Sequence, residues 1–217
     1  MNNTVLVTCM DKAFDRKLAA VFVREGFRVF AMGNTNPEGI ELLPVDEREA
    51  AAVLTKKAGK LDFLLDTTDH REPNDSFSVR DGIDGAVIES VFRKNVLRSM
   101  ALLEAFLPLL DMGSAKRLFY LTDAGASINE TRYTNRFGYN MSKAALHQFL
   151  QMARNKLAPS GYTFRVFDPV EEMPPEASAE SAYNYITRRR GTENHDPLRD
   201  DEENLVFRDA YGRQHSW

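Results

Sequence analysis

The chain has 217 residues, of which 43% are hydrophobic and 28% are charged. Its 32 Asp and Glu residues outnumber 28 Lys and Arg residues, which gives a formal net charge of −4. This composition excludes a disordered polyelectrolyte, and it leaves no basic field for nucleic acid or an anionic membrane. A single cysteine cannot form an internal disulfide bond, and no apolar leader precedes the first predicted strand, so we expect a cytoplasmic protein.

Short apolar runs that predict strands alternate with stretches whose apolar residues recur at helical spacing. Asp11 and Asp46 are typical N-cap residues and predict the start of the first two helices. In chain order the sequence predicts strand 4–8, helix 11–25, strands 28–32 and 40–43, helix 46–58, strand 61–65, helix 84–110, strand 117–122, helix 137–158, strand 163–167, helix 178–190 and strand 204–208. This alternation indicates a parallel sheet covered by helices on both faces, in one domain that spans residues 1–217.

Tyr139 and Lys143 are the pair of residues that best indicates chemistry. They lie one turn apart on the same face of the predicted helix 137–158. A phenol has a pKa of about 10, and a lysine ammonium nearby favours the phenolate. Such a pair suits general acid–base catalysis on a carbonyl or an alcohol, although two structural residues on a helix would show the same spacing.

The whole sequence resembles the short-chain dehydrogenase/reductase family. Residues 139–146 (YNMSKAAL) are similar to the family's Y-x-x-S-K-A-A-L, residues 61–65 (LDFLL) to its L-D-x-L-V strand, and residues 167–169 stand at its N-P-G. The resemblance implies a doubly wound Rossmann-type fold of three layers, α/β/α. It also implies an NAD(P)-dependent oxidoreductase that acts on a small alcohol or carbonyl.

The resemblance assigns roles to several residues. Tyr139 is the implied acid–base group, Lys143 lowers its pKa and binds the ribose, and Asn95 belongs to the proton relay. The place of the family's catalytic serine is held by Asp123, with Ser127 or Thr122 as alternatives. An Asp at this place would repel the oxyanion that the serine normally stabilises.

The sequence departs from the family at the cofactor. The family's T-G-x-x-x-G-x-G stands at residues 8–15, where Thr8 is kept and Cys9, Ala13 and Asp15 replace the three glycines. These glycines let the backbone approach the pyrophosphate, so we predict that NAD or NADP binds weakly or not at all. The family's N-N-A-G becomes Asp-Thr-Thr-Asp at residues 66–69. The other positions implied at the cofactor are Gly33, Asp46 and Pro169.

The segment that forms the substrate lid in the family is shortened in this sequence, because only residues 170–177 separate Pro169 from the next predicted helix.

The sequence leaves two functions open. The chain is either an oxidoreductase, or a non-catalytic family member that serves as a dimeric scaffold or binds another small ligand. The resemblance also implies a homodimer or a tetramer formed through the helices at 84–110 and 137–158. The four histidines have no metal-ligand spacing, so we expect no metal site.

Overall fold

A mostly parallel sheet forms the centre of the computed structural model, which describes residues 3–33, 37–188, 201 and 203–217. Its strands follow the order β3-β2-β1-β4-β5-β6-β7-β8, and β8 alone is antiparallel to its neighbour among the described strands. The strands are β1 (Thr4–Val7), β2 (Arg28–Met32), β3 (Ile40–Leu43), β4 (Phe63–Asp66), β5 (Arg117–Leu121), β6 (Thr163–Asp168), β7 (Phe207–Asp209) and β8 (Gln214–His215). The strand order reverses between β1 and β4, where a doubly wound fold opens a crevice at the carboxyl ends of its strands.

Helices cover both faces of this sheet, which confirms the predicted three-layer α/β/α class. They are α1 (Ala13–Arg24), α2 (Glu47–Lys57), α3 (Gly85–Phe92), α4 (Arg98–Asp111), α5 (Phe137–Leu157) and α6 (Pro175–Thr187). One buried apolar cluster joins the sheet to α2, α4 and α5 through residues such as Leu54, Phe106 and Leu150. A second cluster joins the other face to α1 and α6 through Phe22 and Ile186.

Several predicted boundaries are wrong for local reasons. Lys12, not Asp11, is the N-cap of α1, because the Asp15 carboxylate accepts a hydrogen bond from the Lys12 backbone N–H. The predicted helix 84–110 contains a π-helical turn at Arg93–Leu97 between α3 and α4.

The last part of the chain also differs from the prediction. Helix α6 begins at Pro175, and residues 189 and 190 of the predicted helix lie outside the described residues. The final predicted strand, 204–208, begins only at Phe207, and β8 was not predicted. Within the described ranges, no helix is both long and apolar enough to cross a membrane.

Candidate active-site crevice

A cleft of about 350 Å³ opens where β4, β5 and β6 end. Apolar side chains, among them Phe14, Leu121 and Met173, form much of its wall. The charged residues that line it are Lys12, Asp69, Arg71, Asp123, Asp168 and Glu171. The cleft therefore combines an apolar wall with more carboxylates than cations.

Tyr139 and Lys143 lie together on α5, as the spacing predicts, and the first turn of this helix is held by Asp75. The Asp75 carboxylate accepts hydrogen bonds from the backbone N–H groups of Gly138, at 2.9 Å, and Tyr139, at 2.7 Å. A carboxylate at a helix N-terminus satisfies free N–H groups and stabilises the helix dipole. Asp75 thus fixes the backbone position of Tyr139. This role is not evident from the sequence, because Asp75 lies in an irregular polar loop.

The phenol of Tyr139 donates a hydrogen bond to Asp69 Oδ1 at 2.6 Å. The same carboxylate oxygen lies 3.2 Å from the ammonium of Lys143, and its other oxygen contacts the Lys12 ammonium. Lys143 is fully buried and also donates to the backbone carbonyls of Thr68, at 2.9 Å, and Leu121, at 3.1 Å. Asp69 therefore holds both members of the tyrosine–lysine pair.

These contacts set the protonation states of the two groups. Burial raises the pKa of Tyr139 well above its ordinary value of 10.0, and the charges of Asp69 and Asp123 raise it further. Burial alone would raise the pKa of Asp69, but the charges of Lys143 and Lys12 bring it below its ordinary range. At neutral pH the pair is thus a neutral phenol and an ionised carboxylate. The resemblance implies that Lys143 lowers the pKa of this phenol, but in this arrangement the pKa of Tyr139 is raised.

Arg71 closes the crevice over Tyr139. Its guanidinium carbon lies 4.5 Å from the centre of the Tyr139 ring, and Nη2 lies 3.3 Å from the phenol oxygen. The same guanidinium donates to Asp123 at 3.2 Å and to Glu171 at 3.0 Å. It therefore bridges the end of β5 and the connection between β6 and α6, and Tyr139 is only 2% exposed. Nothing in the sequence pattern identified Arg71, because it lies in a loop without periodicity.

Asn95 lies in the π-helical turn and faces the loop after β4. Its side-chain carbonyl accepts from the His70 backbone N–H at 2.8 Å, and its amide donates to the His70 carbonyl at 2.9 Å. The amide also donates to Ser142 Oγ at 3.0 Å. Because His70 lies between Asp69 and Arg71, the Asn95 side chain positions the loop that carries both.

Asp123 and Ser127 lie in different environments. Asp123 faces the cleft and caps the short 3₁₀ turn Ala124–Ala126 through the Gly125 N–H, at 2.7 Å. Ser127 is fully buried, and its hydroxyl accepts from the Glu130 N–H, so it serves a turn and does not line the cleft. Thr122 lines the cleft, but its hydroxyl bonds to the ring of His147. Of the three alternatives for the place of the family's serine, Thr122 and Asp123 thus line the cleft and Ser127 does not.

The turn after β1 is held by contacts within the chain. Thr8 Oγ1 donates to Asp66 at 3.0 Å, and the Cys9 N–H donates to Thr67 Oγ1 at 3.2 Å. Burial raises the pKa of the Cys9 thiol to about 12, so this thiol is protonated at neutral pH. Ala13 is the first residue of α1. The backbone N–H groups of Thr8, Cys9 and Lys12 thus have partners within the chain.

The remaining predicted positions lie at three different places in the fold. Gly33 follows β2, where a Cβ atom would meet the Met10 side chain at 3.5 Å. Asp46 is exposed and caps α2 through the backbone N–H groups of Arg48 and Glu49. Pro169 lines the cleft. Within the described residues, no group of His, Cys, Asp and Glu is arranged to hold a metal ion.

The same arrangement of strands and helices occurs in solved carbonyl reductases. Sniffer of D. melanogaster has a TM-score of 0.83 at 14% identity, with 100% of both chains covered. An NADPH-bound carbonyl reductase from chicken fatty liver has a TM-score of 0.82 at 14% identity, over 100% of this chain and 99% of that one. A carbonyl reductase from Pseudomonas aeruginosa in complex with NADP has a TM-score of 0.79 at 17% identity, over 99% of this chain and 100% of that one.

The chain has the fold of the short-chain dehydrogenases/reductases. The sequence itself matches no family model and no curated protein. The short-chain dehydrogenase/reductase fold suggests a dinucleotide at the crevice. Its diphosphate would have to fit the residues around the start of α1. Asp15 is fully buried there, and its carboxylate takes the Lys12 N–H that an anion would otherwise meet. These residues do not fit a diphosphate.

Proposed function

We propose that this chain is a divergent short-chain dehydrogenase/reductase that binds a small molecule in its crevice and does not carry out dinucleotide-dependent turnover. The hydrogen bond from Tyr139 to Asp69 is the observation that supports this proposal most directly. General acid–base catalysis needs a group whose pKa is near the working pH. A buried phenol that donates to an ionised carboxylate is far from that condition.

The volume and the charged residues of the cleft restrict the size and the charge of the ligand that it can bind. A volume of about 350 Å³ is in the range of small-molecule sites. Its cations are already paired, Lys12 with Asp69 and Arg71 with Asp123 and Glu171. We therefore propose a neutral or cationic ligand whose apolar part packs on the cleft wall.

The proposal is tested by combining activity assays with ligand binding. Wild-type protein and Tyr139→Phe are assayed for reduction of a panel of carbonyls with NADH and with NADPH. They are also assayed for oxidation of a panel of alcohols with the two oxidised cofactors. We expect no cofactor-dependent turnover above background in either protein. Turnover by the wild type that disappears in Tyr139→Phe would contradict the proposal.

Binding is measured by thermal shift with a library of neutral, cationic and anionic small molecules. Met173→Trp fills the cleft, whereas Met112→Trp adds the same side chain at a position that is 70% exposed. We expect stabilising compounds among the neutral or cationic molecules, and their effect should be lost only in Met173→Trp. A ligand effect that survives in Met173→Trp would place binding elsewhere.

The second candidate is an NAD(P)-dependent oxidoreductase that acts on a small alcohol or carbonyl. The observation in its favour is that Tyr139, Lys143 and Asn95 are brought together around one loop, as the resemblance implies. In this case Arg71 and Asp69 would have to move away from the phenol before substrate could reach it. The activity assays above distinguish the two candidates.

A further inference from the structure

Two carboxyl groups, one fully buried and one 10% exposed, stand at positions where the resembled family has glycine. Asp15 replaces the third glycine of the motif after β1, and Asp69 replaces the glycine that ends N-N-A-G after β4. Lys12 joins them, because its backbone N–H donates to Asp15 and its ammonium contacts Asp69. We call Lys12, Asp15 and Asp69 the carboxylate plug.

Asp15 lies at the N-terminus of α1, where a phosphate would be stabilised by free N–H groups and the helix dipole. Its Oδ2 accepts from the Lys12 N–H at 2.9 Å, and the residue is fully buried. Its Oδ1 has no hydrogen-bond partner among the described residues. A carboxylate of the chain itself thus takes the place of an anionic ligand at this helix.

Asp69 occupies the other end of the plug. Lys143, which the resemblance assigns to the ribose, is instead paired with Asp69 at 3.2 Å. The phenol of Tyr139 donates to the same oxygen. Both groups that would meet a nicotinamide riboside are therefore held by one side chain of the protein.

We infer that the carboxylate plug fills the dinucleotide position, so that the crevice accepts only a phosphate-free ligand, which enters beside the connection between β6 and α6. This inference rests on the proposed function and specifies the ligand class of the same site. A diphosphate would have to displace both carboxyl groups and would face the negative charge of Asp69 across a short distance. A neutral or cationic molecule in the cleft meets neither obstacle.

The inference is tested by restoring glycine at both positions. NADPH binding is followed by fluorescence titration in the wild type, Asp15→Gly/Asp69→Gly and the isosteric Asp15→Asn/Asp69→Asn. Asp11→Asn is the matched control, since it removes one exposed carboxylate from the same turn. Circular dichroism and the thermal midpoint establish that each variant is folded.

We expect no saturation of the wild type or of Asp11→Asn up to millimolar NADPH, and binding at least tenfold tighter in the glycine variant. The asparagine variant separates charge from volume: an intermediate gain indicates that charge contributes, and a gain confined to glycine indicates that volume dominates. Micromolar binding by the wild type, or no gain in either folded double variant, would overturn the inference. The absence of a gain in NADPH binding would not alter the activity assays of the wild type, so the inference and the proposed function are tested separately.

Discussion

The side-chain amide of Asn95 both accepts from and donates to the backbone of His70, at 2.8 and 2.9 Å. This paired contact fixes the middle of the segment that carries Asp69 and Arg71. Asn95 is fully buried, so the loss of its side chain would leave the His70 N–H and C=O without their partner. Its role in this structure is to position the loop.

We expect Asn95→Ala to lower the free energy of unfolding by about 1–3 kcal/mol, the cost of leaving buried polar groups unsatisfied. Hydrogen exchange should speed up at residues 69–71. Urea denaturation and exchange measured by mass spectrometry check both effects. His70→Ala keeps the backbone partners and is the control, with a change within about 0.5 kcal/mol. Equal effects of the two substitutions would contradict a role for the Asn95 amide.

The ionisation of Tyr139 provides a direct measurement of the Asp69 contact. We expect no ionisation of Tyr139 below pH 10 in the wild type, because burial and two nearby carboxylates raise its pKa. Asp69→Asn should lower that pKa, since it removes a negative charge and leaves Lys143 next to the phenol. Ultraviolet difference titration checks this, with Tyr139→Phe identifying the signal in each background. Ionisation of Tyr139 below pH 8 in the wild type would show that its pKa is not raised.

The buried carboxyl of Asp15 makes stability depend on pH. Burial raises its pKa from 3.8 to about 7 in the folded protein. The folded state therefore holds a proton that the unfolded state has released, and stability is lost as pH rises between these two values. Above about pH 7 the carboxylate is ionised in both states and the cost is at its maximum.

We expect Asp15→Asn to be more stable than the wild type, with an advantage that grows by on the order of 2 kcal/mol from pH 5 to pH 8. Asparagine keeps an oxygen that accepts the Lys12 N–H, so the helix cap is retained. Urea denaturation at the two pH values measures the difference. Asp11→Asn controls for the removal of a charge from this turn, and a pH-independent advantage of Asp15→Asn would refute the argument.

Local patterns were sufficient to predict the elements of the fold and the tyrosine–lysine pair. Tyr139 and Lys143 share one helix, so their spacing alone places them one turn apart. Asp69, Arg71 and Asp75 were missed because they lie in an irregular loop whose contacts are with residues more than 50 positions away. The sequence showed that the glycine of N-N-A-G is replaced by Asp69, but only the structure shows that this carboxylate reaches Tyr139.

The predicted dimer depends on which apolar residues of the helices face outward. Val91, Leu103 and Phe106 of the predicted helix 84–110 are buried within the chain and cannot form an interface. The large apolar residues that remain exposed on this helical region and on α5 are Leu97, Met100, Met141 and Met152, at 52%, 39%, 48% and 63% exposure.

We propose that these exposed side chains contact a second copy of the chain across a two-fold axis, because burying them removes apolar surface from water. Analytical ultracentrifugation at micromolar concentration should show a dimer or a tetramer for the wild type. Leu97→Glu/Met152→Glu should shift it toward monomer, since each substitution places a charge in an apolar interface. Val79→Glu, which changes an apolar residue that is 68% exposed and lies outside these helices, should leave the assembly intact. A monomeric wild type, or dissociation by the control alone, would show that the two helices do not form an interface.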